Sequence, residues 1–421
     1  MPSAAPTPSP GPTDQRVPGP SAPDAPASEA ASASAPDLDL DETLALAGMA
    51  LGAALAEPEP LGGSTRSLVV RARVVAGLTT DRLDPTRATA HARGSTVVVK
   101  RFLDGPSAAG LPFEHEVAGL LTLDRTPVLL AVDEAHRLLV MSDVGDGPTL
   151  ADLLLGTDRD AAWQGALDWA AALGELAGAS GPHVERFSAE LAARGVVRGW
   201  DLDAYARAGV HRLVEALPTP TGLARDPLDA TLAFLHDDLD ALARLRAPGS
   251  TAVVSPGDTC PDNAVRTPSG WVFLDLEDTS VHHPALDAAY TLMPFSTCWC
   301  VFDPPPGLTD ALLAAFSAGL GKHLPDAVAE PAWTRDVLVA SAGWILAMTG
   351  WLLEGAVEDR PRVGPEGRSP SYRQLVLSRW RWGAEHLREA TPSIAAVLSD
   401  GVAWAEREWG PTPSGGYPAF S

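Results

Sequence analysis

Gly257-Asp258-Thr259-Cys260-Pro261-Asp262-Asn263, followed a strand's length later by Phe273-Leu274-Asp275-Leu276-Glu277-Asp278, is the stretch on which the reading of this chain turns. An Asp with an Asn five residues on, then an Asp closing an apolar run, supplies the oxygens that phosphoryl transfer needs to orient a hydroxyl and hold Mg²⁺. Either half alone is a common turn signal, since turns favour both Asp and Asn. Together and in this order they point to a kinase.

Working outward, residues 60 to 144 read as a small sheet-based unit. Val-rich runs at Ser67 to Val75 and Ser95 to Phe102 suggest a hairpin, Phe113 to Leu123 has helical spacing, and Val128 to Val132 and Leu138 to Val144 are again strand-like. After Gly145-Asp146-Gly147-Pro148 the pattern changes. Thr149 caps an expected helix from Leu150, and Ala/Leu/Trp helices follow, with strands only at Ala252 to Val254, Ala264-Val265 and Trp271 to Leu274. Asp41 to Ala56 has the spacing of a first helix, and residues 1 to about 40, rich in Ala, Pro and Ser, read as a disordered tail. The expected divisions are a tail over 1–42, a nucleotide-binding lobe over 43–144 and a helical lobe over 145–421 carrying the catalytic loop and acceptor site.

These features resemble the aminoglycoside phosphotransferase family, the small-molecule branch of the protein-kinase-like fold, over roughly residues 60 to 300. The resemblance implies an α+β, two-lobed protein-kinase-like fold, with a small mixed sheet lobe and a large mainly helical lobe. It implies that Asp258 is the catalytic base, that Asn263 and Asp275 hold Mg²⁺, and that ATP or GTP is the co-substrate. Lys100, after Thr96-Val97-Val98-Val99, matches the family's phosphate-contacting lysine. It is one of two lysines in the chain, the other being Lys322. Its expected partner is Glu116, opening Glu116-Val117-Ala118-Gly119-Leu120, with Glu114 the competing choice. Gly62, Gly63 and Ser64 fit a backbone cradle for phosphates, and Ser142 and Val144 fall where adenine would meet the backbone between the lobes. His283-Pro284-Ala285-Leu286-Asp287 resembles the family's closing segment, whose Asp is structural. The chain departs from the family at Pro256, which stands where a His usually braces the catalytic loop. A nucleotide-binding pseudokinase without transfer activity is the alternative that this departure raises.

Composition narrows the partners. The net charge of −23 disfavours nucleic acid, which needs basic patches. Residues 1 to 60 carry −8 of it, so the remainder, at −15, favours a small and possibly cationic hydroxyl acceptor. Asp262, Glu277 and Asp278 flank the centre and read as solvated surface acids, with reception of a cationic acceptor as the alternative. Val337 to Leu353 is uncharged, but Gly343, Thr349 and Gly350 dilute it, so a buried core helix rather than a membrane span is expected. No secretory signal is recognisable, which points to a cytoplasmic protein. Three Cys argue against a disulfide framework. Cys298-Trp299-Cys300, with Cys260, His282 and His283, offers metal ligands, but the spacing is tight and Cys is commonly a small buried hydrophobe, so packing is the expectation. The acceptor's identity and the oligomeric state are not legible.

Overall fold

The computed structural model describes residues 39–63, 67–76, 95–103, 112–196, 201–217, 227–246, 249–295, 297–329 and 332–421. The Asp39 carboxylate accepts from the N–H groups of Asp41 and Glu42 and so caps α1 (Leu40–Leu51). Gly52, at φ 73°, ends the helix in the left-handed conformation that glycine adopts without strain. The helical reading therefore runs five residues too far. Ala54 already opens β1 (Ala54–Gly63), which tolerates Pro58 and Pro60 because it is an edge strand with one unpaired side.

β1 pairs with β2 (Ser67–Ala76), β2 with β3 (Thr96–Phe102), β3 with β5 (Leu138–Ser142) and β5 with β4 (Leu129–Asp133), all antiparallel. The expected hairpin is the β2–β3 pair. One face of the sheet buries Val74, Val97, Val99, Leu138 and Val140 with Leu46, Ala47 and Leu51 of α1. Against the other side lies α2 (Pro112–Thr122), whose Phe113 meets Phe102 edge to face at 5.8 Å.

Thr149 and Asp152 cap each other reciprocally at the start of α3 (Leu150–Leu154), as the sequence predicts for Thr149. The large lobe is then built on α4 (Arg159–Ser180), α5 (Val184–Ala193), α6 (Leu202–Ala216), α7 (Pro227–Phe234), α8 (His236–Arg244), α9 (Ala285–Leu292), α10 (Leu308–Leu320), α11 (Ala332–Val357), α12 (Tyr372–His386) and α13 (Pro392–Trp409). Trp169 and Trp380 are fully buried in its core, where truncation to Ala costs about 3–5 kcal/mol. α11, although long and apolar enough to cross a membrane, is packed against α6, α9 and α12 and is the central core helix. Gly209 of α6 brings the two backbones together, since a Cβ there would lie 1.7 Å from the Leu346 oxygen of α11.

Four short strands carry the cleft loops. β6 (Val253–Ser255) pairs with β9 (Ser280–His282), and β7 (Ala264–Thr267) with β8 (Gly270–Phe273). The sequence reading missed β9, whose three residues are too few to show a period. This is the two-lobed protein-kinase-like fold, with the loops after β6 and β8 facing the sheet.

Candidate active site

Lys100 on β3 is the centre of charge. Its Nζ lies 2.5 Å from Glu116 Oε2 on α2, is hydrogen-bonded to Asp275 Oδ1 after β8, and is 3.6 Å from Glu277 Oε2. Glu116 is the partner rather than Glu114, which is taken by Arg137 at 3.0 Å. One residue before Glu116 on α2, the His115 Nδ1–H donates 2.6 Å to the Thr279 carbonyl, which fastens this helix to the large lobe. Lys100 thus joins both lobes through one ammonium.

Lys100, Glu116 and Glu277 are all buried. Burial pulls the Lys100 pKa down, but the charges of Asp275, Glu116 and Glu277 outweigh it and hold the ammonium protonated well above its ordinary range. Glu116 is pushed up by burial, against the pull of Lys100 and with the added push of Asp275 and Glu277. Three carboxylates around one cation leave negative charge in excess. Their oxygens lie within 4.8 Å of one another, a hard, oxygen-only donor set that fits a divalent cation of the Mg²⁺ type. Glu277, read as a solvated acid, is therefore corrected: it lies in the turn between β8 and β9, which packs against the sheet and buries it beside Lys100 rather than in solvent. Asp275 itself sits at φ +56°, a left-handed backbone that costs a non-glycine residue about 1–3 kcal/mol, as functional sites often do.

The second side of the cleft is the loop after β6. Gly257, at φ +84°, passes so close to Asp278 that a Cβ would lie 2.2 Å from its carbonyl oxygen, so only glycine fits. Asp258 follows. Its Oδ1 accepts from Thr297 Oγ1 at 2.9 Å, and Tyr290 Oη lies 2.7 Å from the same hydroxyl. Asn263 Nδ2 is 3.2 Å from the Asp258 carbonyl oxygen and 3.3 Å from its Oδ2. Burial, partly offset by hydrogen bonds, raises the Asp258 carboxyl to about 6. The Leu274 N–H donates 2.8 Å to the Asn263 carbonyl, which ties this loop to the one carrying Asp275.

Pro256 leaves the loop braced by other means. The Gly257 N–H donates 3.0 Å to Ser255 Oγ, Ser255 Oγ donates 2.6 Å to the buried Asp287, and His282 Nε2 contacts the same Asp287 oxygen at 3.1 Å. Asp262 is not a solvated acid either: the Trp299 indole N–H donates to it at 2.8 Å. Asp278 is exposed, as read, and lines a cleft with Asp258, His282, Tyr290, Thr297, Trp344 and Trp351. Thr297, Tyr290 and the two tryptophans escaped the sequence reading. They lie on α9, α11 and the loop between helices, at spacings that look like ordinary core.

Other expected contacts fare differently. Gly62 and Gly63 end β1, while Ser64 lies outside the described residues. Ser142 ends β5, two residues short of the expected run to Val144; its N–H donates to the Val128 carbonyl at 2.9 Å and its hydroxyl accepts from the Val128 N–H. Val144 is half-buried just beyond it.

A sheet lobe and a helical lobe sharing one lysine, with a carboxylate and amide loop opposite, define a kinase-like phosphotransferase. The phosphotransferase enzyme family matches residues 77–331, more than half of the chain, and the chain belongs to that family. It is a small-molecule kinase with a hydroxyl group as acceptor, using a nucleotide co-substrate and a divalent metal ion. Similar solved structures include a choline/ethanolamine kinase family protein from Mesorhizobium loti, at 18% identity and TM-score 0.45, covering 82% of this chain and 93% of that one. A macrolide 2'-phosphotransferase from Brachybacterium faecium is 16% identical, at TM-score 0.44, covering 75% and 93% respectively. No curated protein matches the chain.

Proposed function

We propose that this kinase moves the terminal phosphate of ATP or GTP to a hydroxyl of a small, cationic alcohol, with Mg²⁺ as the metal. The observation that carries the reading is the Lys100 ammonium held between Glu116 and Asp275 across the cleft from Asp258 and Asn263. Asp258 accepts the proton of the acceptor hydroxyl as its oxygen attacks phosphorus, and Thr297 holds the carboxylate in the receiving orientation. Asn263, whose amide nitrogen faces Asp258, and Asp275 present oxygens to the metal. When bound, the metal neutralises phosphate charge. Lys100 exchanges Asp275 for phosphate while keeping Glu116, so the excess negative charge around it is relieved by the complete complex. We place the nucleotide against Gly62, Gly63 and the backbone at Val144, and the hinge between the lobes at residues 144 and 145.

The acceptor class follows from the cleft beside Asp258. Exposed Asp278 at its mouth and the chain's net charge of −23 favour an ammonium-bearing alcohol over an acid. Nucleotide consumption is to be followed with amino sugars, amino alcohols and choline-like alcohols against neutral and acidic alcohols. Turnover confined to cationic acceptors and lost in Asp258→Asn supports the reading. Turnover that Asp258→Asn leaves unchanged, or that prefers acidic alcohols, contradicts it. Nucleotide binding that stabilises the fold with no transfer to any acceptor would instead identify a pseudokinase.

A further inference from the structure

One cluster in the large lobe lies directly behind the catalytic loop. Cys260, in the turn between Asp258 and Asn263, sits 3.5 Å from the Thr297 hydroxyl and close to Cys298 from the loop after α9, whose neighbour in the cluster is Cys300, and all three thiols are buried and free. The Cys298 and Cys300 sulfurs are 2.9 Å apart. The Asp262 carboxylate points into the same cluster, with Oδ1 3.8 Å from Cys298 Sγ, and one ligand atom from each of Cys260, Asp262 and Cys298 lies within 4.8 Å of the others. His282 and His283, the imidazoles nearest in sequence, are engaged elsewhere, with Asp287 and beside Trp333.

We propose that Cys260, Asp262 and Cys298 form a binding site for a thiophilic divalent cation of the zinc class, which clamps the catalytic loop to the segment carrying Thr297. The geometry is close to what such an ion needs. Tetrahedral zinc with bonds of about 2.0–2.3 Å sets a sulfur and an oxygen roughly 3.5 Å apart and two sulfurs roughly 3.8 Å apart, near the 3.8 Å between Asp262 Oδ1 and Cys298 Sγ, and leaves a fourth position for water.

Three further observations favour a cation over plain packing. The half-buried Asp262 carboxylate is met on the cluster side only by the long, weak thiol hydrogen bond from Cys298, which a cation would replace with a stronger partner. The other oxygen of Asp262 already accepts the Trp299 indole N–H, the outer hydrogen bond that a metal-bound carboxylate characteristically keeps. Buried Arg379 donates to the Pro294 and Phe295 carbonyls, leaves its Nε without a partner, and forms no ion pair among the described residues. Two thiolates and a carboxylate around a divalent ion carry net negative charge, and Arg379 is the buried cation that offsets it. Thiolate donors exclude Mg²⁺ from this site and separate it from the oxygen-only set at Asp275. Binding releases the two thiol protons to solvent, so affinity rises with pH.

The site borders Asp258 and Thr297 through Cys260 but is distinct from the Lys100 centre, and its test needs no turnover. Untagged protein, purified in reductant without chelator, is to be analysed for metals, then stripped and titrated with Zn²⁺ and with Co²⁺ as a spectroscopic probe. One zinc per chain, with thiolate-to-cobalt charge-transfer bands, is expected. Cys260→Ser and Cys298→Ser should bind at least about 100-fold more weakly, and Trp299→Phe, which keeps the ring but removes the donor, about 10- to 100-fold more weakly. His283→Gln should bind as the wild type does. Circular dichroism of the Ser variants separates lost ligation from lost folding, and Trp299→Phe carries the test if they unfold. A wild-type chain that takes up neither ion, or Ser variants that bind as tightly as wild type, overturns the proposal.

Discussion

The two sides of the cleft are held by different forces. Around Lys100 the groups are charged, buried and mutually dependent: one ammonium serves Glu116, Asp275 and Glu277 from two lobes. Around Asp258 the supports are neutral, a Thr297 hydroxyl, the Asn263 amide and a loop braced through Ser255. A charged side is strong but loses much when one member is removed, whereas a neutral side gives way in small steps. That contrast makes the Lys100 side the structural joint between the lobes and leaves the Asp258 side free to be tuned for proton transfer.

The contrast can be broken most forcefully at its two centres. Asp258→Asn should lower kcat about 10²- to 10⁴-fold while leaving thermal stability unchanged or higher, since a partly desolvated charge is removed. Steady-state kinetics with a melting curve checks both halves. Lys100→Met should instead cost about 3–5 kcal/mol of stability, because it strands three carboxylates, and this is measured by urea unfolding. Equal stability losses at the two positions would erase the distinction.

Finer tests sharpen it. Thr297→Val removes one neutral hydrogen bond to Asp258, worth about 1 kcal/mol, and should slow kcat roughly five-fold with little change in nucleotide KM. The smallest effect belongs outside the cleft. Burial holds the His283 imidazole down at about 4 from the ordinary 6.5, with the nearby His282 adding to the shift and Asp336 4.0 Å away. The unfolded chain therefore binds this proton more tightly, and folding loses stability as pH falls through the window from 6.5 to 4. His283→Gln should show a shallower decline than wild type across that window in melting scans, whereas parallel declines would remove His283 as a contributor.

How much of this was legible depended on the kind of force involved. The Lys100 and Glu116 pair could be read because a lone lysine after a Val run and a glutamate early in the next helix have few other uses. The Asp258, Asn263 and Asp275 order was likewise visible in the primary structure. Glu277 was misread, since nothing local shows that the turn after β8 packs against the sheet. Thr297 and Tyr290 were invisible because each looks like ordinary core and acts only through a contact across the lobe. β1 hid behind two prolines that only an edge strand accepts.

The central claim is spatial, so the most direct measurement is the anomalous scattering of Mn²⁺ in a crystal grown with a nonhydrolysable nucleotide. The account predicts a manganese peak bounded by Asp275, Asn263 and the phosphates, with Lys100 on those phosphates and Asp258 facing the terminal one. A peak away from Asp275 and Asn263, or a nucleotide whose phosphates lie out of reach of Lys100, would contradict it.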